Sequence, residues 1–449
     1  MVNNLQMSVF RLIHKTLFSE WALHFNFKYE TSHPPHAVLT RTQVKPSRDR
    51  SQPVPTLKKF LKMKLLILFF FCSISFSVFA QDVRISGYVY NLETGQRLHG
   101  AHVYWQGAPT LGTVTNEDGA FLLLHHKDCT ILIISHLGHQ TLRLNIINEN
   151  ELTIGLSVIP YELAGVTVKP IEDARIIMSR VIARLEENHP TYPVYYRYFY
   201  REVFFSADSV IHIMLENTGK IEHRVAFMWF GSKISIPNPR IRVFSDKGRE
   251  MLEVFNLGGL VNIEEDNPVH AITRNCFLHS RGSRDFNFQL VGLESIGDRQ
   301  VYVIDFATDI QVIHPSGRLY VDTDSYAIAR KVLHRRGGTE IRNINFIESN
   351  GKWYLRNVSH HRLRPDSPSF SYRTTLYNAL IDQEKLDYEL IGILRLWFAE
   401  ITIEERKESD FVGDFHWEQF NSIPLPDWIA SRIAKQRAER RARQEPQVE

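Results

Sequence analysis

The sequence predicts a mainly β protein, with a small N-terminal β-sandwich, a linker helix, and a larger antiparallel β-meander or half-barrel domain with a few helices. Two patterns lead to this prediction. Beyond residue 82, apolar and polar residues alternate in short runs that end at Gly, Asn or Asp, which is typical of strands and hairpins. A helical period interrupts this alternation near residues 174–185. The part of the chain beyond residue 80 is long enough for two domains.

Residues 63–80 have the features of a signal peptide. Four lysines between residues 58 and 64 precede an apolar run that begins at Leu65, and Val78-Phe79-Ala80 forms a cleavage site before Gln81. A transmembrane anchor is the alternative, but the apolar segment spans only about fifteen residues and contains serines, whereas a bilayer requires about twenty apolar residues. We therefore predict soluble export.

Within the preceding residues, 1–62, the stretch 33–60 is rich in proline and basic residues and lacks sustained periodicity, so it offers no obvious means of burying a core. We interpret them as the result of a start codon assigned too early, with translation beginning at Met63, or as a disordered extension. A genuine long basic region of the signal peptide is the alternative.

The charge of the exported part argues against a nucleic-acid partner. The whole chain has 53 basic and 50 acidic residues, of which 11 and 3 lie within residues 1–80. The remainder has 42 bases and 47 acids, a net charge of −5, whereas phosphate binding requires a concentrated cationic face. The basic run in residues 425–449 is predicted to be a solvated helical tail, because acidic residues are interspersed at helical spacing.

The cysteines do not form a disulfide framework. Cys72 leaves with the signal peptide, and only Cys129 and Cys276 remain. One disulfide could form after export, but Cys129 lies in an apolar strand-like run, so a buried thiol is the default.

Residues 82–160 are predicted to form the β-sandwich. Turns at Thr94-Gly95, Gly107 and Asp118-Gly119 separate runs of alternating apolar residues, and Asp-Gly favours the positive φ of a hairpin corner. About seven strands in about eighty residues indicate a small two-sheet fold.

The turn residues of this segment resemble the carboxypeptidase regulatory-like domain of Bacteroidetes envelope proteins. The resemblance implies a transthyretin-like accessory sandwich without peptidase residues, and a location in the periplasm or at the outer membrane. Asn116 and His139 depart from the usual Asp and Tyr, and neither change alters the expected fold. The matching elements are Gly87-Tyr88-Val89, Thr94-Gly95, Gly100-Ala101-His102-Val103, Gly112-Thr113, Thr115 to Phe121, and Gly138-His139.

Residues 161–190 are predicted to be a linker and an amphipathic helix. The apolar stripe of this helix indicates core packing rather than a partner site. Its join to the preceding "VTVKP", with the later "FYRE" at 199–202, resembles a group of Bacteroidetes outer-membrane-associated proteins of unknown function. The stripe consists of Ala174, Ile177, Met178, Val181, Ile182 and Leu185.

Residues 191–424 are predicted to form the antiparallel β-rich domain. Alternating runs at 301–306, 317–335, 344–364 and 370–380 are joined by tight turns such as Asn350-Gly351. Their order is similar to that of the half-open barrels that carry lipoproteins across the periplasm. This resemblance implies a concave face lined by one alternating set of aromatic residues, drawn from Tyr302, Phe306, Tyr320, Tyr326, Trp353 and Tyr372.

The sequence contains no recognisable catalytic or metal-binding motif. The adjacent pairs His125-His126 and His360-His361 point to opposite faces of a strand, so neither pair can hold one ion alone. His136 and His139 flank a glycine turn, which favours a surface turn without a ligand. Asp322 and Asp324 lie at a hairpin corner, where carboxylates usually accept backbone N–H bonds.

These observations favour a non-enzymatic exported envelope protein. The sandwich would serve as an interaction module, and the β-rich domain would bind a protein, glycan or lipid. We expect no catalytic residue, metal or cofactor, and peripheral association with the outer membrane is compatible with the pattern. The alternative is an envelope hydrolase with an unrecognised acid and base, for which Asp322 and His314 are the first candidates. The sequence does not indicate the oligomeric state.

Overall fold

A computed structural model describes most of the chain beyond residue 83, and the protein is mainly β, with a small N-terminal sheet domain followed by a large antiparallel sheet and few helices. The predicted extension and signal peptide lie outside the described residues. None of the helices in the described part is long and apolar enough to cross a membrane. The described residues are 84–126, 128–147, 149–159, 173–223, 233–235, 240–253, 268–269, 276–309, 315–335, 339–363, 369–380, 391–392 and 420–444.

The N-terminal domain is a sandwich of seven strands in two sheets. One sheet has the order β4-β1-β7 and the other β3-β2-β5-β6, and only the β1–β7 pair is parallel. Trp105, Phe121 and Leu132 are buried between the sheets. The alternating apolar residues therefore pack between the two sheets, as the sequence predicts. The strands are β1 (Arg84–Asn91), β2 (His102–Trp105), β3 (Ala108–Val114), β4 (Ala120–Leu124), β5 (Ile131–Ser135), β6 (Leu142–Asn145) and β7 (Glu151–Leu156).

The hairpin before β4 depends on Asn116 and Gly119. Gly119 has a φ of +71°, and a Cβ there would lie 2.4 Å from the carbonyl oxygen of Val89. Asn116 Oδ1 accepts the N–H of Asp118 at 3.0 Å and that of Ala120 at 2.9 Å. Its Nδ2 donates to the carbonyl of Pro424 at 3.3 Å. Asp could accept the first two bonds but could not donate the third, so asparagine adds a tie to the C-terminal segment.

The larger domain is built on one sheet of twelve strands, all paired antiparallel. The order is β12-β13-β14-β15-β16-β17-β18-β8-β9-β10-β19, and β11 also pairs with β9. Asn350 and Gly351 have φ values of 51° and 75°, so the predicted turn has the positive φ at both corners that a tight hairpin needs. The strands are β8 (Val194–Ser206), β9 (Ile211–His223), β10 (Lys233–Ile234), β11 (Arg240–Val243), β12 (Asn287–Ile296), β13 (Arg299–Ala307), β14 (Ser316–Asp322), β15 (Ile328–Arg335), β16 (Glu340–Ser349), β17 (Lys352–Leu363), β18 (Ser369–Leu380) and β19 (Ile391–Gly392).

Helix α1 (Ala174–Ala183) packs on one face of this sheet, which we call the inner face. Asp173 caps the helix by accepting the N–H of Arg175 at 2.8 Å. The predicted stripe faces the core: its first four residues are buried in the same apolar cluster as Tyr196, Tyr198 and Tyr377, while Ile182 and Leu185 are half-buried. A short helix, α2 (Leu185–Asn188), follows, and α3 (Asp246–Glu253) comes after β11.

The sandwich packs against the opposite, outer face through strand β3. The N–H of Gly112 donates to Asn378 Oδ1 at 2.9 Å. Arg356 is fully buried and donates to the carbonyls of Thr110, at 3.1 Å, and Pro109. Burial lowers the pKa of this guanidinium to about 10. Because a buried cation needs acceptors for its N–H groups, these carbonyls fix the sandwich in place.

The C-terminal segment, residues 420–426, joins the two domains, and helix α4 (Asp427–Gln444) continues from it. Ser422 forms an antiparallel bridge with Leu122 of the sandwich. Ile429 and Ile433 are buried against the outer face, whereas residues 437–442 are exposed. The basic half of this helix is therefore solvated, as its charge pattern indicates.

We expect Ile177→Ala to lower the free energy of unfolding by about 2–5 kcal/mol, because the isoleucine is fully buried between α1 and the inner face. Ile176, its neighbour on the same helix, is 48% exposed. Ile176→Ala is the matched control and should change stability by about 0.5 kcal/mol or less. Urea unfolding of both variants measures the difference, and equal losses would contradict the packing of α1.

Candidate functional site: ionisable residues on the inner face

Five of the six aromatic residues considered for the concave face belong to the apolar cluster under α1. The exception is Tyr372, which packs on the outer face against Ile429 and Trp428. The cluster is filled by the chain's own residues, since Phe277 stacks on Phe306 with ring centroids 4.3 Å apart. This aromatic region is therefore a packed core in the present state. The five are Tyr302, Phe306, Tyr320, Tyr326 and Trp353. Tyr320 is paired with Arg330 and lies on the outer face with it.

Beside this core, ionisable side chains cross the inner face in a line that we call the inner row: Glu202, Glu340, Arg342, His360 and Arg373. Arg342 pairs with His360, His360 with Arg373, and Arg373 with Glu202 across four neighbouring strands. Directly paired residues of antiparallel strands point to the same side, so these side chains share one face. Four of the five are buried, and the side chain of Arg373 is 14% exposed.

An ion pair forms one end of the inner row. Arg373 Nη2 lies 3.2 Å from each carboxylate oxygen of Glu202, and the hydroxyl of Tyr200 donates to Glu202 Oε2 at 2.5 Å. Burial acts to lower the pKa of Arg373, but the charge of Glu202 outweighs it and the pKa is raised. Arg373 therefore keeps its charge throughout the physiological range.

The other end of the inner row is formed by a histidine and a glutamate. His360 Nε2 lies 3.0 Å from Glu340 Oε1. Burial raises the pKa of Glu340, but the hydrogen bond from His360 and the charge of Arg342 hold it down at about 2. Burial lowers the pKa of His360 to about 4. At neutral pH the glutamate is charged and the imidazole is neutral.

The outer face has a comparable buried ion pair one residue away. Arg201 Nε donates to Glu216 Oε1 at 2.8 Å, and Arg201 Nη1 donates to the carbonyls of Ile423 and Pro424. Although burial raises the pKa of Glu216, Arg201 outweighs this effect and the pKa is lowered. These contacts attach the C-terminal segment, so this pair has a structural role that the inner pair lacks.

Asp322 caps a turn, as the hairpin position indicates. It is 1% exposed, and Oδ1 accepts the N–H of Ser325 at 2.8 Å and that of Asp324 at 3.3 Å. Oδ2 lies 3.3 Å from Arg299 Nη1. The carboxylate is thus occupied by its own turn. His314, the other candidate of the hydrolase alternative, lies outside the described residues.

We expect Asp322→Ala to lower the free energy of unfolding by about 2–4 kcal/mol, because it removes several bonds to a buried charge. Asp324→Ala at the exposed neighbouring position is the control and should be nearly neutral. Chemical denaturation tests both variants. A hydrolase activity that Asp322→Ala abolishes at unchanged stability would contradict the structural role.

The structure separates the two rings of the His360-His361 pair. His360 faces the inner row, whereas the ring of His361 lies 4.8 Å from Tyr372 on the outer face. The Nδ1 atoms of His136 and His139 approach to 3.1 Å, and His139 is buried. Within the described ranges, no group of three or more His, Cys, Asp or Glu residues could hold a metal ion. The turn between His136 and His139 packs on the large sheet, where the N–H of Gly138 donates to the carbonyl of Ser295 at 2.9 Å.

His189, which the sequence did not single out, is locked in its neutral form. It is 1% exposed at the end of α2, and its Nδ1–H donates to the carbonyl of Trp353 at 3.2 Å. Nε2 accepts the N–H of Ile328 at 3.4 Å. A proton on Nε2 would remove this acceptor, and burial lowers the pKa of His189 to about 3.

We expect the free energy of unfolding to fall as the pH drops below about 6.5. Below this pH His189 binds a proton in the unfolded chain, whereas in the folded protein it stays neutral down to about pH 3. This residue should contribute about 2 kcal/mol of the loss at pH 5. Urea unfolding at pH 7.5, 6 and 5 measures the slope, which His189→Gln should reduce. His125→Gln, at an exposed position, should keep the wild-type slope. An unchanged slope for His189→Gln would refute the assignment.

A cavity of about 90 Å³ lies between the sandwich and the outer face. Burial lowers the pKa of His102 to about 3 and that of His136 to about 4, so both rings are neutral at pH 7. Sequence reasoning missed this cavity because two separate domains supply its walls. The polar residues that line it include His99, His102 and His136 of the sandwich and Arg330, Asn343, Asn345, Asn357 and Ser359 of the large sheet.

Comparison with known proteins supports the identity of the sandwich. Residues 85–168 match the CarboxypepD_reg-like domain family. Comparison with curated proteins gives no match. The resemblance seen in the turn residues is therefore confirmed for this domain, while a Bacteroidetes origin stays a prediction.

Several solved structures are similar to about half of the chain. A LolA superfamily protein from Nitrosomonas europaea has 12% identity and a TM-score of 0.23, over 48% of this chain and 96% of that one. A domain described as an outer membrane lipoprotein-sorting protein from Vibrio parahaemolyticus has 11% identity and a TM-score of 0.24, over 54% and 97%. The MucA/MucB complex of Pseudomonas aeruginosa gives 11% identity and a TM-score of 0.17, over 49% and 99%.

Proposed function

We propose that this protein is a non-enzymatic, exported cell-envelope protein whose β-rich domain, residues 191–424, binds a ligand at the inner face. Among protein, glycan and lipid ligands, we favour an amphiphile, namely a lipid with a charged headgroup. The observation that carries this proposal is the inner row next to the aromatic core. The sandwich, residues 82–160, is the accessory interaction module.

Burying the ionisable side chains of the inner row costs free energy, and a sheet that needs only a core does not require them. Moving a charged side chain out of water costs several kcal/mol, and ion pairing in the interior often does no more than compensate. Apolar residues of similar size would stabilise the sheet at least as well. Five ionisable residues on one buried face therefore favour a role in recognition over a role in folding.

The position of the row next to the aromatic cluster defines the chemistry of the ligand. The inner row offers both an acceptor, Glu202, and guanidinium donors, Arg373 and Arg342, which suit a charged headgroup. The cluster under α1 supplies the apolar surface that an acyl chain requires. Because the row is buried in the ligand-free chain, binding requires the inner face to open.

The proposed location rests on the sequence and on the sandwich. The signal peptide predicts export, and the CarboxypepD_reg-like match at 85–168 agrees with the envelope resemblance of the turn residues. We propose residence in the periplasm or peripheral attachment to the outer membrane. The sandwich contacts the outer face, so the proposed ligand site lies on the opposite face, which α1 covers.

A pair of double variants tests this proposal. Glu202→Gln with Arg373→Gln removes the inner ion pair, and Arg201→Gln with Glu216→Gln removes the outer pair on the neighbouring residues. Each protein is expressed from Met63, purified from the envelope and extracted for lipid, which is quantified by mass spectrometry. We expect the inner variant to retain about a tenth or less of the wild-type lipid, since a bond to a charged group contributes about 1.5–3 kcal/mol.

The outer variant separates binding from stability, because it also loses a buried ion pair. It should keep its lipid even though its stability falls. Wild-type protein without lipid, or equal lipid in both variants, would contradict the proposal. Crosslinking of the wild type in the envelope tests the protein-ligand alternative in parallel.

A further inference from the structure

We propose that the cavity between the sandwich and the outer face binds a small oxyanion, a carboxylate, phosphate or sulfate group, with Arg330 as its counter-ion. This site is separate from the inner face and does not depend on the proposed function. Its walls come from both domains, so an anion there would also link the sandwich to the large sheet.

Arg330 has a charge that the described residues leave unbalanced. The side chain is half-buried, and its Nε is buried without a hydrogen-bond partner. Its guanidinium carbon lies 5.2 Å from the centre of the Tyr320 ring. Within the described part of the chain, Arg330 has no ion pair with an Asp or Glu, in contrast to Arg318, which binds Asp305 through two bonds of 2.6 and 2.9 Å. A partly buried cation without an anionic partner is unfavourable, so an anion bound next to Arg330 would stabilise the protein.

Two amides stand next to this guanidinium. Arg330 pairs with Asn345, and Asn345 pairs with Asn357, on three adjacent strands. The three side chains therefore point to the same side, and all three line the cavity. Asn357 is 5% exposed and its Oδ1 has no hydrogen-bond donor. Turning its amide by 180° presents two N–H donors to the cavity instead, which an oxyanion would accept.

The remaining wall does not supply negative charge. His99, His102 and His136 face the cavity from the sandwich, and Arg356 lies close enough to act on the pKa of His102. Glu117 acts on His99 from outside the cavity lining. The lining residues thus combine one cation with neutral donors, which is the composition that recognises an oxyanion.

The size of the cavity limits the ligand. A volume of about 90 Å³ accommodates a group of a few heavy atoms with water, because a single water needs about 10–15 Å³ on the same scale. An acyl chain or a sugar chain does not fit. The ligand is therefore a small ion or the anionic end of a short molecule.

Thermal unfolding of the exported chain tests the proposal. The midpoint Tm is measured at pH 7 with increasing sodium phosphate, sulfate or acetate, each against sodium chloride of the same ionic strength. We expect at least one oxyanion to raise Tm saturably, by about 2–4 °C at ten times its Kd. Arg330→Gln should abolish this rise, and Arg318→Gln, which removes an arginine elsewhere on the sheet, should keep it.

Asn345→Asp provides an independent test that does not require the loss of Arg330. It places a carboxylate directly opposite the guanidinium and should raise Tm while removing the response to oxyanions. A fall in Tm for Asn345→Asp, or a full oxyanion response in that variant, would contradict an Arg330 that lacks an anionic partner. No oxyanion response in the wild type, or a full response in Arg330→Gln, would overturn the proposal and would leave the lipid experiment unaffected.

Discussion

The alternation of side chains along an antiparallel strand imposes the main constraint on this protein. Along strands β8 and β9 of the twelve-stranded sheet, consecutive residues point to opposite faces, and both faces are covered. On β8, Tyr200 joins the cluster under α1, whereas Phe199 packs with Val114 of the sandwich. Each strand must therefore satisfy two environments at once. This requirement explains why β8 and β9 are buried along almost their entire length.

Buried charged side chains have different hydrogen-bond partners on the two faces of the sheet. On the outer face, Arg201 and Arg356 donate to backbone carbonyls, so their charges hold distant segments of the chain together. On the inner face, Glu202 and Arg373 bond to each other and to Tyr200, within the sheet itself. The outer cations therefore account for assembly of the two domains. For the inner charges we propose recognition as the role.

The sequence was sufficient for features that depend on neighbours along the chain. The seven sandwich strands, the buried stripe of α1 and the turn at Asn350-Gly351 each follow from local periodicity and turn chemistry. The sequence did not predict contacts between segments that are distant along the chain. Arg356 meets Thr110 across 246 positions, and Asn116 meets Pro424 across 308. No single-sequence pattern links such residues, so the cavity and the inner row emerged only from strand register.

The bridge between Leu122 and Ser422 has a consequence for the order of events during biosynthesis. The sandwich is translated before the C-terminal segment, so its edge strand obtains this partner only after the large sheet has followed. Until then, the edge of β4 stays open to pairing with other polypeptides. A chaperone that shields this edge would therefore act on β4 early and be released once the segment around Ser422 arrives.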